Sequence, residues 1–337
     1  MRNNEPFKIG GKVIAPGTRQ TIDLPLPPLY THTSVTLPVH VIHGRQTGPI
    51  LCVLAALHGD EINGVEIIRR LLASKALSRI HGTLLAVPVV NVYGFVQQSR
   101  YLPDRRDLNR SFPGSERGSM ASRLAHTLMT EVIDKCTHGI DYHTAAGGRT
   151  NLPQLRVDLD AHEDALELAQ AFAPPIIMDM GTRNGTLREA SKIPMLLYEA
   201  GEALRFDDVS IRAGLRGTLR VMRYLNMLPA SKKKSTVSHE PFIANDSEWM
   251  RAPQSGIIRS SVPLGAAIQK GQLLGVIADP LGGSEESVVS RRNGVLIGMT
   301  KMPLVHEGEA LFHVACTSEV KRAAQAVNEF HQGYEER

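Results

Sequence analysis

The sequence predicts an α/β fold followed by an all-β C-terminal region, and three observations predict it. Ile50 to Leu57 is an apolar run bounded by Gly48-Pro49, the length of a buried strand. Val65, Ile68, Leu71 and Leu72 follow at helical spacing, so a helix is expected from about Asn63 to Leu72. Beyond residue 240 the pattern changes. Short strand-like pieces punctuated by glycine, Ser255 to Ile277, are echoed about 37 residues later by Asn293 to Val314.

Size and composition narrow the function classes. With 337 residues the chain can bury a sizeable core, and two domains are expected. Hydrophobic content of 42% and charged content of 21% are those of an ordinary soluble protein. A net charge of +4 is mild, and the one compact basic run, Lys232-Lys233-Lys234, has no aromatic neighbours on which bases could stack, so no nucleic-acid partner is expected. Cys52, Cys136 and Cys316 are far apart and odd in number, as in a reduced, cytoplasmic chain. No stretch approaches 18 apolar residues and the N-terminus has no apolar core, so neither a membrane span nor export is expected.

Taken in order, residues 7 to 48 are rich in Pro and β-branched residues, and Ser34 to Gly44 alternates like a strand. His40 and His43 lie on its opposite faces and are therefore no natural metal-binding pair. The stretch Leu57-His58-Gly59-Asp60-Glu61 follows the first apolar run. His58 and Glu61 thus fall on a turn after a strand, where an α/β fold opens its crevice. An imidazole and a carboxylate three apart can reach one Zn2+, although a solvated loop with a helix-capping acid explains H-x-x-E equally well. Thr83 to Val90 reads as a further buried strand.

The polar loop Gln97 to Gly118 carries Arg100, Arg105, Arg106 and Arg110. A salt-bridged surface accounts for Arg105 and Arg106. It accounts less well for Arg110, beside Asn109 and the Phe112-Pro113-Gly114 turn, and a guanidinium fork suits a substrate carboxylate. A helix is expected over Met120 to Lys135, with Leu124, Leu128 and Val132 on one face. A short strand over Gly139 to His143 follows. His143 answers the first motif: three ligands, His58, Glu61 and His143, leave a fourth position open, as a catalytic zinc site requires. Asp141 either backs His143 or faces solvent.

Ala145 to Pro153 reads as a flexible connection holding another candidate, Arg149. A helix over Ala161 to Phe172 and a strand over Pro175 to Met180 come next. The strand Pro194 to Gly201 ends in Glu199 before a glycine turn, a carboxylate of the kind that accepts a proton from attacking water. Glu202 is expected to cap the helix that runs to about Leu228, and Pro229 to Glu240 to be a linker. The C-terminal quasi-repeat resembles the barrel-sandwich fold of biotinyl and lipoyl carriers. Its joining hairpin, Ala278 to Glu286, lacks the carrier lysine, and Lys301-Met302 lies in the second half, so a non-carrier module is expected.

Together, His58-Gly59-Asp60-Glu61, Asn91, Arg100, Asp107-Leu108-Asn109-Arg110, His143 and Glu199-Ala200-Gly201 are similar to the motifs of the succinylglutamate desuccinylase/aspartoacylase family, relatives of the zinc carboxypeptidases. The resemblance covers about residues 30 to 228. It implies a zinc-carboxypeptidase-like mixed, mostly parallel sheet flanked by helices, with one Zn2+ per subunit on His58, Glu61 and His143. It also implies Glu199 as the catalytic acid/base, Arg100 (or its rival Arg105) polarising the scissile carbonyl, and Asn109 and Arg110 on a substrate carboxylate. The expected domains are a catalytic one over 1–230, a barrel-sandwich one over 240–318 and a tail over 319–337. The expected activity is hydrolysis of an N-acyl amino acid or a related small carboxylate-bearing amide, with homo-oligomerisation left open. A zinc carboxypeptidase or esterase, or a non-catalytic metal-containing binding module, is the alternative.

Overall fold

The computed structural model describes residues 3–231 and 240–335, so most of the expected linker, Lys232-Lys233-Lys234 included, lies outside the described residues. One large mixed sheet organises the chain. Its principal strands are β1 (Thr18–Leu26), β2 (Val35–His43), β3 (Ile50–Ala55), β4 (Thr83–Val87), β5 (His138–Ala145), β6 (Arg149–Val157), β7 (Ile176–Asp179), β8 (Met195–Glu202), β9 (Ser247–Arg251), β10 (Gly294–Thr300) and β11 (Ala310–Cys316). Side by side they run β9-β11-β10-β6-β8-β5-β3-β4-β2-β1, with β7 against β6.

The centre, β4-β3-β5-β8, is parallel, and every pairing outward from it along that order is antiparallel. The expectation of a mostly parallel sheet therefore holds at the middle and where β7 joins β6, but not along the rest of that order. The central strands are apolar on both faces because both are covered. Leu51, Val53 and Ala55 face one core with Ile67, Ile68 and Leu71 of α1 (Asn63–Leu72). Cys52 and Leu54 face the other with Leu124 and Leu128 of α2 (Met120–Glu131). Leu71 is wholly buried, and such a side chain contributes about 1.5–3 kcal/mol by leaving water. The helices α3 (Ala165–Phe172) and α4 (Asp208–Tyr224) complete the α1 side. No helix of the described residues is long and apolar enough to cross a membrane.

Four sequence expectations need correction. Ala145 to Pro153 is not a flexible connection: after a short turn, Arg149 to Val157 is strand β6. Its buried Asn151 and Gln154 interrupt the apolar run that would have marked a strand, yet Gln154 has a partner, its Nε2 donating to the Ile297 carbonyl at 3.2 Å. Glu199 does not end its strand, since β8 continues to Glu202 with a register shift just after Glu199. Glu202 therefore caps nothing. The α4 cap is Asp207, whose side chain accepts from the Ser210 amide at 2.7 Å. The helix over Met120 ends at Glu131, and Ile133–Lys135 forms a separate 3-10 turn.

In the C-terminal region, β9, β11 and β10 extend the large sheet. A second sheet is ordered Glu285–Val289, Leu273–Ala278, Gly256–Ser260, Leu304–Val305. The quasi-repeat has a structural counterpart, because each half lends a two-residue strand to the other. Ala267–Ile268 pairs with β10, and Leu304–Val305 pairs with Gly256–Ser260. Between the sheets lies a core of Ile258, Leu274, Ile277, Leu296, Leu311 and Phe312.

Candidate active site

His58 and Glu61 stand on the turn between β3 and α1, and His143 is on β5, the strand next to β3. Gly59 of this turn is required by close approach. A Cβ there would lie 2.0 Å from the Gly94 carbonyl carbon, within the backbone that passes beneath. All three side chains are buried, and their ligand atoms lie within 4.8 Å of one another. Glu61 sits in the middle: His58 Nδ1 is 2.7 Å from Oε1 and His143 Nδ1 is 2.7 Å from Oε2. The Thr144 amide also donates to Oε2, at 3.0 Å.

Each ring is backed on its far side by a carboxylate. His143 Nε2 is 2.8 Å from Asp141 and His58 Nε2 is 3.1 Å from Asp107. The Asp141 alternative is thereby resolved in favour of His143. Burial alone would raise the Glu61 carboxyl, but the two imidazoles outweigh it and hold it well below the usual range. Burial alone would lower His143, but Asp141 and Glu61 outweigh it and raise it well above its ordinary value. His58 is raised on the same balance by Glu61 and Asp107. With the outer nitrogens held by Asp141 and Asp107, the donor set and its backing fit a divalent cation.

The loop after β4 supplies the next wall. Asn91 caps the Val92–Val96 helix through the Gly94 amide at 2.9 Å, and its Nδ2 donates to the Arg100 carbonyl at 3.4 Å. Arg100 reaches the cluster: its guanidinium is 3.2 Å from Glu61 and 2.9 Å from Asp107. Its rival Arg105 is exposed and does not line the cavity. Asp107 links three elements, accepting from Arg100 and from the Asn109 amide while backing His58. Sequence reasoning assigned it no role. Asn109 is fixed by the Leu187 amide, which donates to its Oδ1 at 2.9 Å, and Arg110 is exposed at the rim.

Glu199 lies beside His143 in register on the parallel pair β8 and β5, which brings both onto one face of the sheet. Its oxygens are held by Arg156 at 3.2 Å and by Asn151 Nδ2 at 2.8 Å. Arg149 lines the same cavity, its Cζ 5.4 Å from the Trp249 ring centroid. The cavity measures about 400 Å³ and holds six guanidinium groups, those of Arg100, Arg110, Arg149, Arg156, Arg183 and Arg188. All five of the expected non-metal residues, Glu199, Arg100, Asn109, Arg110 and Arg149, line it together with His58, Glu61 and His143. Sequence reasoning missed Asn151, Arg156, Arg183, Arg188 and Trp249. The cluster of polar residues Asn151, Gln154 and Arg156 within one short stretch was the available signal for two of them. The rival histidines lie elsewhere: His40 bonds Thr21, and His43 is buried between Thr83 and the Glu5 carbonyl.

Known proteins resemble this chain along most of its length. It is 25% identical over 300 residues to the N-alpha-acetyl-L-2,4-diaminobutyric acid deacetylase of Halomonas elongata, covering 84% of this chain and 86% of that protein. Among solved structures, the product-bound ectoine utilization protein EutE (DoeB) of Ruegeria pomeroyi superposes with a TM-score of 0.80 at 22% identity, over 89% of this chain and 95% of that one. A succinylglutamate desuccinylase/aspartoacylase of Rhodobacter sphaeroides gives 0.78 at 23% identity, over 88% and 95%. These structures share the large mixed sheet with its helices. The succinylglutamate desuccinylase/aspartoacylase catalytic domain matches residues 47–225, more than half of the chain, and the chain belongs to that family.

Proposed function

We propose that the protein is a metal-dependent deacylase that hydrolyses the amide of an N-acyl amino acid or a related small carboxylate-bearing amide. One observation carries the reading. A cation-fitting His-Glu-His cluster, a carboxylate in register with one of its histidines, and Asn109 with Arg110 all open into one cavity. Family membership and the deacetylase activity of the Halomonas relative support it.

His58, Glu61 and His143 would hold one Zn2+, which when bound supplies Lewis acidity for water activation and carbonyl polarisation. Glu199 accepts the proton of the attacking water and returns it to the leaving nitrogen. Arg156 and Asn151 fix its carboxylate while it does so. The Arg100 guanidinium, oriented by Asp107, faces the charge that develops on the scissile carbonyl oxygen, a kind of stabilisation worth several kcal/mol. Asn109 and Arg110 hold the substrate carboxylate, so that attack occurs within an oriented complex.

The test is a hydrolysis screen of N-acetyl, N-succinyl and longer N-acyl amino acids with metal-replete protein, run beside C-terminal peptides and esters. Turnover of acyl amino acids above the other two classes is expected. Preference for peptides or esters would move the reaction to another bond, and no turnover of any class would favour a binding module.

A further inference from the structure

We propose that Trp249, on β9 of the C-terminal region, is a specificity-determining residue of this cavity. With the Arg149 guanidinium laid against its indole, it forms the wall that receives the substrate group remote from the reacting amide, a carboxylate on a short aliphatic stem. The proposal rests on the deacylase reading for the site it serves.

The order of the strands sets the position of this wall. His58 and Glu61 follow β3 on its turn, His143 lies on β5, Glu199 on β8 and Arg149 on β6; β10 and β11 then intervene before β9. Trp249 nevertheless lines the same cavity, at the end remote in strand order from the metal ligands. A row of cross-strand partners leads to it: Asn151 on β6 faces Gly298, Gly298 faces His313, and His313 faces Trp249. A Cβ at Gly298 would lie 2.8 Å from Asn151 Oδ1, so a side chain there would push the Asn151 amide aside. The same Asn151 holds Glu199.

Trp249 is braced rather than mobile within this row. The His313 ring stacks on the indole at 4.5 Å and 7°, and its Nε2 is 2.9 Å from the Ser247 hydroxyl. Burial, with Arg156 nearby, pushes His313 down to about 3, so the stacked ring is neutral at working pH and does not repel the cation across the indole.

Partner bookkeeping singles out Arg149. Of the four half-buried arginines in the cavity, Arg100 is paired with Asp107 and Glu61 and Arg156 with Glu199, while Arg188 donates to the Met180 and Gly181 carbonyls. Arg188 likewise has no carboxylate partner, but among the described residues the Arg149 side chain alone of the four makes neither a hydrogen bond nor an ion pair; its guanidinium meets the Trp249 ring. A cation over an indole is attracted by the ring and oriented by it, while its N–H donors stay available. A partly desolvated guanidinium so placed recognises a carboxylate, and the indole offers the apolar surface for the stem.

Trp249 is the single tryptophan of the chain, so indole emission reports on this wall alone. The full-length protein is titrated with glutarate, a dicarboxylate that cannot be hydrolysed, and with butyrate, its monocarboxylate counterpart. Glutarate is expected to change the emission saturably, with a half-saturation about tenfold lower than that of butyrate. Arg149→Gln should remove that advantage. In turnover, Trp249→Ala should raise KM about tenfold for acyl amino acids with a second carboxylate relative to their neutral amide counterparts, with Trp249→Phe recovering most of the loss. The proposal is overturned if glutarate leaves the emission unchanged, if Arg149→Gln binds both probes as wild type does, or if Trp249→Ala alters charged and neutral substrates equally. If the titration behaves as expected while no acyl amino acid is hydrolysed, the deacylase reading fails and the wall stands.

Discussion

The two ends of the cavity are built differently. At one end His58, Glu61 and His143 are almost completely buried, each imidazole nitrogen faces a carboxylate, and the turn after β3 and the strand β5 that carry them are neighbours. At the other end Arg149 and Trp249 are half-exposed, meet through a cation and a ring, and come from strands about a hundred residues apart in sequence. The first end is buried and charge-compensated, as the proposed cation site requires. The second has donors to spare, as a site that sorts substrates has to have. Substitutions at the first should therefore act on metal content and turnover, and those at the second on KM.

The largest effect is expected from His143→Ala or His58→Ala. Metal analysis should fall from about one ion per chain to near none, with loss of activity; full stoichiometry in either variant would place the metal elsewhere. Asp141→Asn keeps all three ligands but weakens the grip on His143 Nε2, and metal affinity measured by chelator competition should fall about 10–100-fold. Arg110→Lys keeps the charge and loses the planar fork, so KM for carboxylate-bearing substrates should rise by about tenfold with metal content intact. If wild-type protein hydrolysed uncharged amides as well as acidic ones, the carboxylate clamp would be wrong. The smallest effect belongs to Arg105→Gln. This exposed residue faces neither end, and kcat and KM should both stay within about twofold of wild type.

The same contrast explains what could be read from the sequence. His58 and Glu61 are three residues apart on one turn, and His143 lies two residues before the end of strand β5, so local pattern suffices to find them. The helix over Asn63 to Leu72 was legible for the same reason, its Ile67, Ile68 and Leu71 all meeting the sheet. Asp107 was not legible in role, because a loop aspartate that caps a 3-10 turn looks the same whether or not a histidine lies behind it. Strand β6 was hidden by its polar residues: Asn151 and Arg156 bond Glu199, Gln154 bonds across the sheet, and together they erase the apolar signature of a buried strand. Trp249 is placed by strand pairings that no local window contains, β9 on β11 and β11 on β10. Sheet continuity between the two halves of the chain, through Gly298 facing Asn151, was equally beyond local reading.

Glu199 stands beside His143 in register, is held by Asn151 and Arg156, and contributes no atom to the His58-Glu61-His143 cluster. The most direct test is to measure turnover and bound metal on the same preparation of Glu199→Gln. This variant is nearly isosteric and cannot accept the proton. The prediction is full metal content with turnover reduced by about 10²–10⁴-fold, the range of a lost general base. Near-normal turnover, or loss of the metal, would contradict it.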